Sequence, residues 1–161
     1  MKRIYSVLVE NRSGVLMKVA GLFSRRNFNI DSLAVGETED ANVSRMTIVS
    51  SGDERTIEQI EKQLNKKLDV IKVKTFEENK GINREMMLVK VKYNKNNRRD
   101  IMENCEIMGA SIVDMSDSLM IIQICDTPER TAMFIKMLKG ISILEVARTG
   151  TLSLTKCSEG V

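Results

Sequence analysis

Twice along this chain the hydrophobic spacing changes period in the same order. An alternating run is followed by helical spacing, then by two alternating runs, then by a second helical stretch and a closing run. Residues 4–10 (I-Y-S-V-L-V-E) are rich in β-formers. Ser13 is placed to cap a helix from about Gly14 to Arg26, with Val15, Leu16, Val19, Leu22 and Phe23 on one face. Residues 28–35 and 45–50 are expected strands. Gly52-Asp53 then starts a helix marked by Ile57, Ile60 and Leu64, and residues 70–73 return as a strand.

The second half repeats the order. Residues 86–93 form a strand, and Asn96 or Asn97 starts a helix carrying Ile101, Met102, Cys105 and Met108, which Gly109 ends. Residues 110–115 and 118–125 form a hairpin. Thr127-Pro128 opens the next helix, Gly140 closes it, and residues 141–147 are the last clear strand, with 151–155 extending or shadowing it. Strand–helix–strand–strand–helix–strand is the split βαβ plan. The expected fold class is therefore α+β, as two tandem ferredoxin-like βαββαβ domains. Residues 1–76 make the first, the polar stretch 77–84 a linker, and residues 85–161 the second.

Composition narrows the function classes. With 25 basic and 22 acidic residues, the net charge of +3 does not by itself mark a nucleic-acid surface. Aromatics are 4% of the chain and Trp is absent. Recognition of RNA on the sheet needs exposed aromatics on the central strands, where only Tyr5 stands. The three cysteines, Cys105, Cys125 and Cys157, are far apart. They suit buried structural thiols better than a disulfide framework or a metal site. The chain has no histidine, which removes the commonest general base and a common metal ligand. No apolar stretch approaches the roughly 20 residues of a membrane span, and the start has no signal-peptide pattern. The expected compartment is the cytoplasm, with no membrane or nucleic-acid partner.

The turn N-R-S-G-V-L, residues 11–16, hands the first strand to the first helix. A helix start exposes unpaired backbone N–H groups whose dipole favours an anion, and a glycine there allows close approach. Asn11 adds an amide that can donate and accept. Two readings stand at this point: a tight turn only, or a seat for a small anionic ligand. The equivalent place in the second half, N-K-N-N-R-R at residues 94–99, has no such glycine.

Residues 11–33, N-R-S-G-V-L-M-K-V-A-G-L-F-S-R-R-N-F-N-I-D-S-L, resemble the opening of an ACT domain. More narrowly, they are similar to the small regulatory subunits of acetohydroxyacid synthase (acetolactate synthase). That family shows N-x-x-G-x-L-x-R-V-x-x-L-F, then G-Y/F-N-I-x-S-L. It continues with L-S-R-M-T-I and I-x-Q-I-x-K-Q-L-x-K-L-x-x-V, here V-S-R-M-T-I (43–48) and I-E-Q-I-E-K-Q-L-N-K-K-L-D-V (57–70). In the second half, R-E-M-M-L-V-K-V (84–91) and L-E-V-A-R-T-G (144–150) are also similar. Lys18 replaces the usual Arg, and Asn27 stands where Gly is common.

The resemblance implies a non-catalytic chain that activates a large catalytic subunit and confers feedback inhibition by valine or another branched-chain amino acid. It implies thiamine diphosphate, Mg²⁺ and FAD on that partner, with no cofactor or metal in this chain. It also implies a homodimer through the ACT domain, with the effector between the first turn of one chain and the second strand of the other. Backbone N–H groups of Gly14, Val15 and Leu16 would hold the carboxylate. Asn11 and Asn29 would take the ammonium, and Ile30 would shape the pocket wall. Core packing is the plainer role for the side chains of Val15, Leu16 and Ile30. A different outcome is a stand-alone amino-acid-sensing protein that regulates another target.

Overall fold

The computed structural model describes residues 2–159. The chain divides into two compact units, Met1–Ile82 joined by Thr151–Val161, and Asn83–Gly150.

The first unit is built from β1 (Lys2–Glu10), α1 (Val15–Arg25), β2 (Ser32–Glu37), β3 (Val43–Ser51), α2 (Glu54–Asn65) and β4 (Val70–Phe76). Its strands lie in the order β2-β3-β1-β4, all antiparallel. Alternation along β1 sends Tyr5, Val7 and Val9 to the face that both helices cover. They pack there against Val15, Val19, Leu22 and Phe23 of α1 and Ile57, Ile60 and Leu64 of α2. Fully burying an aliphatic side chain of this size is worth about 1.5–3 kcal/mol, and this cluster holds the sheet to the helices. Tyr5 is completely buried and meets Phe23 edge to face at 6.3 Å between ring centroids. It therefore offers no ring for base stacking.

The second unit holds most of β5 (Gly81–Lys92), then α3 (Arg98–Met108), β6 (Ser111–Met115), β7 (Leu119–Asp126), α4 (Pro128–Met137) and β8 (Ser142–Arg148). The sheet order β6-β7-β5-β8 repeats that of the first unit. The expected α+β class, two βαββαβ domains, is the observed one.

Several boundaries differ from expectation, each for a physical reason. The second strand starts at Ser32 rather than at residue 28. Residues 26–28 are taken up in ending α1: Asn27 is left-handed (φ 58°), and the N–H groups of Asn27 and Phe28 turn back to the carbonyls of Ser24 and Phe23. This is a Schellman stop, in which Asn is the residue most often used after Gly. The polar stretch 77–84 is ordered as a short 3₁₀ turn, Glu78–Lys80, and the start of β5. Glu85, only 6% exposed, accepts a hydrogen bond from the Thr131 hydroxyl at 3.1 Å, so a charged residue sits within the strand pattern. Of the three thiols, Cys105 is buried as expected, but Cys125 and Cys157 are exposed.

The tail also departs from expectation. β9 (Leu152–Thr155) pairs β5, yet groups with the first unit, whose boundary falls inside β5 after Ile82. The Thr151 N–H donates to Ser32 Oγ at 2.8 Å, Lys74 Nζ to Thr155 Oγ1 at 3.2 Å, and the Lys156 N–H to the Lys80 carbonyl at 3.1 Å. Residues 151–155 thus return to the first unit. No described helix is long and apolar enough to cross a membrane.

Candidate functional site

The turn between β1 and α1 has the geometry of an open anion seat. Gly14 is the N-cap of α1 and is left-handed, with φ 84° and ψ −8°. No side chain caps the helix, and a methyl added at Gly14 would meet nothing within 4 Å. The glycine therefore serves the backbone angle and keeps the space above the helix start empty. Of the three N–H groups expected to face a ligand, that of Val15 is engaged, donating to the Arg12 carbonyl at 3.3 Å. Among the described residues the N–H groups of Gly14 and Leu16 have no acceptor, and neither does that of Met17. The open backbone donors of the turn are therefore those of Gly14, Leu16 and Met17.

The side chains divide differently from the backbone. Val15 is buried in the core, whereas Leu16 is 44% exposed and Met17 78% exposed. Ile30 is half-buried against the core cluster. Lys18 Nζ bonds Asp69 Oδ2 at 2.7 Å, tying α1 to the loop before β4, and this bond holds the Asp69 carboxyl below its ordinary range.

Asn11 is fixed by two donated bonds, from Nδ2 to Glu37 Oε1 at 3.1 Å and to the Ala41 carbonyl at 2.8 Å. Both amide hydrogens are spent, so its Oδ1 is left as an acceptor at the side of the turn. Glu37, at the end of β2, is a residue that sequence reasoning missed. It sat in a polar loop with no signal, and only the fold brings its carboxylate to Asn11. The seat thus combines free N–H donors with an amide oxygen and a carboxylate, the pairing that suits the two charged ends of an α-amino acid.

Asn29 is not brought to this place within one chain. It precedes β2 at the far end of α1, where its Nδ2 donates to Asp31 Oδ1 at 2.7 Å and its carbonyl accepts from Ser50 Oγ at 2.6 Å. An eleven-residue helix, about 16 Å long, separates it from Gly14.

In the second unit the corresponding turn is braced by its own asparagines. Asn94 Oδ1 accepts from the N–H groups of Asn96 and Asn97, and Asn97 Oδ1 accepts from the Asn94 N–H. These bonds engage the N–H of Asn97, the N-cap of α3, where that of Gly14 is open; as in α1, no side chain caps the helix itself.

Comparison with known proteins matches the two halves of the chain separately. Residues 5–72 match the family described as AHAS small subunit-like ACT domain, and residues 84–157 match the family described as small subunit of acetolactate synthase. The chain is 43% identical to the acetolactate synthase isozyme 3 small subunit of Salmonella typhimurium, covering 97% of this chain and 96% of that one. It is 44% identical to the probable acetolactate synthase small subunit of Archaeoglobus fulgidus, over 97% and 98%. The crystal structure of the acetolactate synthase small subunit from Thermotoga maritima superposes with a TM-score of 0.91 at 39% identity, covering 97% of this chain and 98% of that one. A turn with free N–H groups on an ACT-type first unit, and relatives matching almost end to end, place the chain in the acetolactate synthase small-subunit family.

Proposed function

We propose that this chain is the non-catalytic regulatory subunit of an acetolactate synthase in branched-chain amino acid synthesis. It raises the activity of the large catalytic subunit and makes it sensitive to valine or another branched-chain amino acid. On this reading thiamine diphosphate, Mg²⁺ and FAD belong to the catalytic partner, and the complex works in the cytoplasm.

The observation that carries the effector site is the open turn at Gly14 together with its position at the end of β2. β2 is an edge strand, so its outer side is unpaired within the chain. Antiparallel pairing of β2 with its copy across a two-fold axis covers that edge. It also sets Ser32 of one chain opposite Glu37 of the other. Asn29, just before β2, then approaches the partner's turn, because the Asn11–Glu37 bond holds that turn at the far end of the strand. The effector carboxylate sits on the free N–H groups of Gly14, Leu16 and Met17. Its ammonium meets Asn11 Oδ1 and Glu37, and the partner chain's Asn29 closes the polar edge.

The test is acetolactate formation by the reconstituted complex, titrated with valine, leucine and isoleucine. Gly14→Asp places a carboxylate in the anion seat. Because φ at Gly14 is positive, it also costs about 1 kcal/mol of backbone strain, so folding is checked by circular dichroism. The variant should still activate and should lose inhibition. Asn29→Ala should weaken inhibition about tenfold, as the loss of one polar partner. Turnover of pyruvate by the isolated chain, or unchanged inhibition curves in both variants, would overturn the proposal.

A further inference from the structure

We propose that the first unit carries a second site, for a small, multiply charged oxyanion, in a cavity of about 390 Å³ between the outer face of its sheet and the returning tail. The alternation that sends Tyr5, Val7 and Val9 to the helices sends Ser6 and Leu8 the other way. On that face the register sets Lys74 beside Ser6, and both Arg45 and Lys72 beside Leu8. Arg45 on β3 and Lys72 and Lys74 on β4 thus flank β1 on one face, with their strands about 10 Å apart. Lys156 of the tail adds a fourth cation, and among the described residues no carboxylate lines the cavity.

Two of these cations are held in place, while Lys72 and Lys156 are exposed. Arg45 Nη1 donates to Ser6 Oγ at 2.6 Å, and Lys74 Nζ donates to Thr155 Oγ1 at 3.2 Å. Both side chains are half-buried. Among the described residues none of the four cations forms an ion pair. Like charges gathered on one face of a sheet repel, and partial cover by a tail strengthens the repulsion. A bound anion turns that repulsion into attraction.

The guanidinium keeps four N–H donors beyond its bond to Ser6, in the planar fork that suits an oxyanion, and the lysines act as point charges around it. One carboxylate would neutralise one cation. Four cations call for a phosphate chain or a polycarboxylate. Phe76, buried, and Leu8 give the cavity an apolar wall for the body of such a ligand. The site is separate from the effector seat, since none of Asn11, Gly14 or Asn29 lines it.

The test is calorimetry on the full chain with pyrophosphate and, separately, citrate, at fixed ionic strength. Saturable binding of either at millimolar concentration or below, with a rise in thermal midpoint, supports the site. Preference for pyrophosphate assigns it to phosphates, and preference for citrate to polycarboxylates. Arg45→Gln and Lys74→Gln should each weaken binding about tenfold or more. Lys139→Gln, on the surface of the second unit, should leave it unchanged. Should Arg45→Gln fail to fold, Lys74→Gln carries the comparison. The Gly14→Asp chain should bind as the wild type does, so this result stands apart from the effector reading. No saturable binding of either anion, or equal affinity in all three cavity and control variants, overturns the proposal.

Discussion

Tyr5 shows how a single residue carries both core packing and a pH limit. Its ring is fully buried, yet among the described residues its hydroxyl has no hydrogen-bond partner. Burial, followed by the negative charge of Glu61, pushes its pKa up to about 12. The neutral phenol is thus the folded form, while the unfolded chain ionises near pH 10. The stability it contributes is complete below pH 10 and is lost as pH rises towards 12. Tyr5→Phe should raise stability at neutral pH by about 1 kcal/mol, since it removes an unpaired buried group. It should also flatten the alkaline loss. Urea unfolding at neutral pH and above pH 10 checks both, and a destabilised variant would mean the hydroxyl is satisfied. The burial of Tyr5 was legible from its place in an alternating strand. The conformation of Gly14 was legible only as a need, because glycine at a helix start allows a positive φ without requiring one. The capture of the Val15 N–H by Arg12 was not legible, because it depends on how the turn closes.

At the scale of elements, the end of α1 decides where β2 begins. β-forming residues from Phe28 onward invite an early strand, but the left-handed Asn27 spends the next residues on capping. A local backbone conformation overrides side-chain propensity here, and no hydrophobic period reveals it. The prediction belongs to the same joint. Asn27→Ala should destabilise the first unit by about 1 kcal/mol, the cost of a left-handed residue with a Cβ and no local hydrogen bond. Asn27→Gly should match or exceed the wild type. Thermal unfolding of both variants separates the capping account from a simple loss of a polar surface residue. Helices with strong start signals were the easiest to read. Asp53 caps α2 through the Thr56 N–H at 2.7 Å, and Thr127 with Pro128 opens α4.

For the molecule as a whole, the proposed pairing of chains rests on the open edge of β2. Val35 on this strand is 45% exposed. Val35→Lys puts a charge on the edge, a device that natural sheets use to prevent pairing. The variant should sediment as a smaller species than the wild type at micromolar concentration and should lose effector binding with it. A variant that keeps the wild-type assembly would place the self-association elsewhere. The repeated βαββαβ order was readable because two hydrophobic periods alternate over long stretches. The destination of residues 151–155 was not, because a short strand carries no mark of which sheet it will join.

That return of the chain has a bearing on biogenesis. A ribosome releases residues in order, and the six elements of the first unit are complete by Phe76. Its outer sheet face nevertheless waits for Thr151 and Ser153, both buried in the finished fold. Until the intervening residues have been made, that face, with its row of cations around Leu8, stays open to the nascent chain's surroundings. The first unit to start folding is therefore also the last to finish. A stop codon after Gly150 would leave the whole second unit encoded, and the damage would fall on the first.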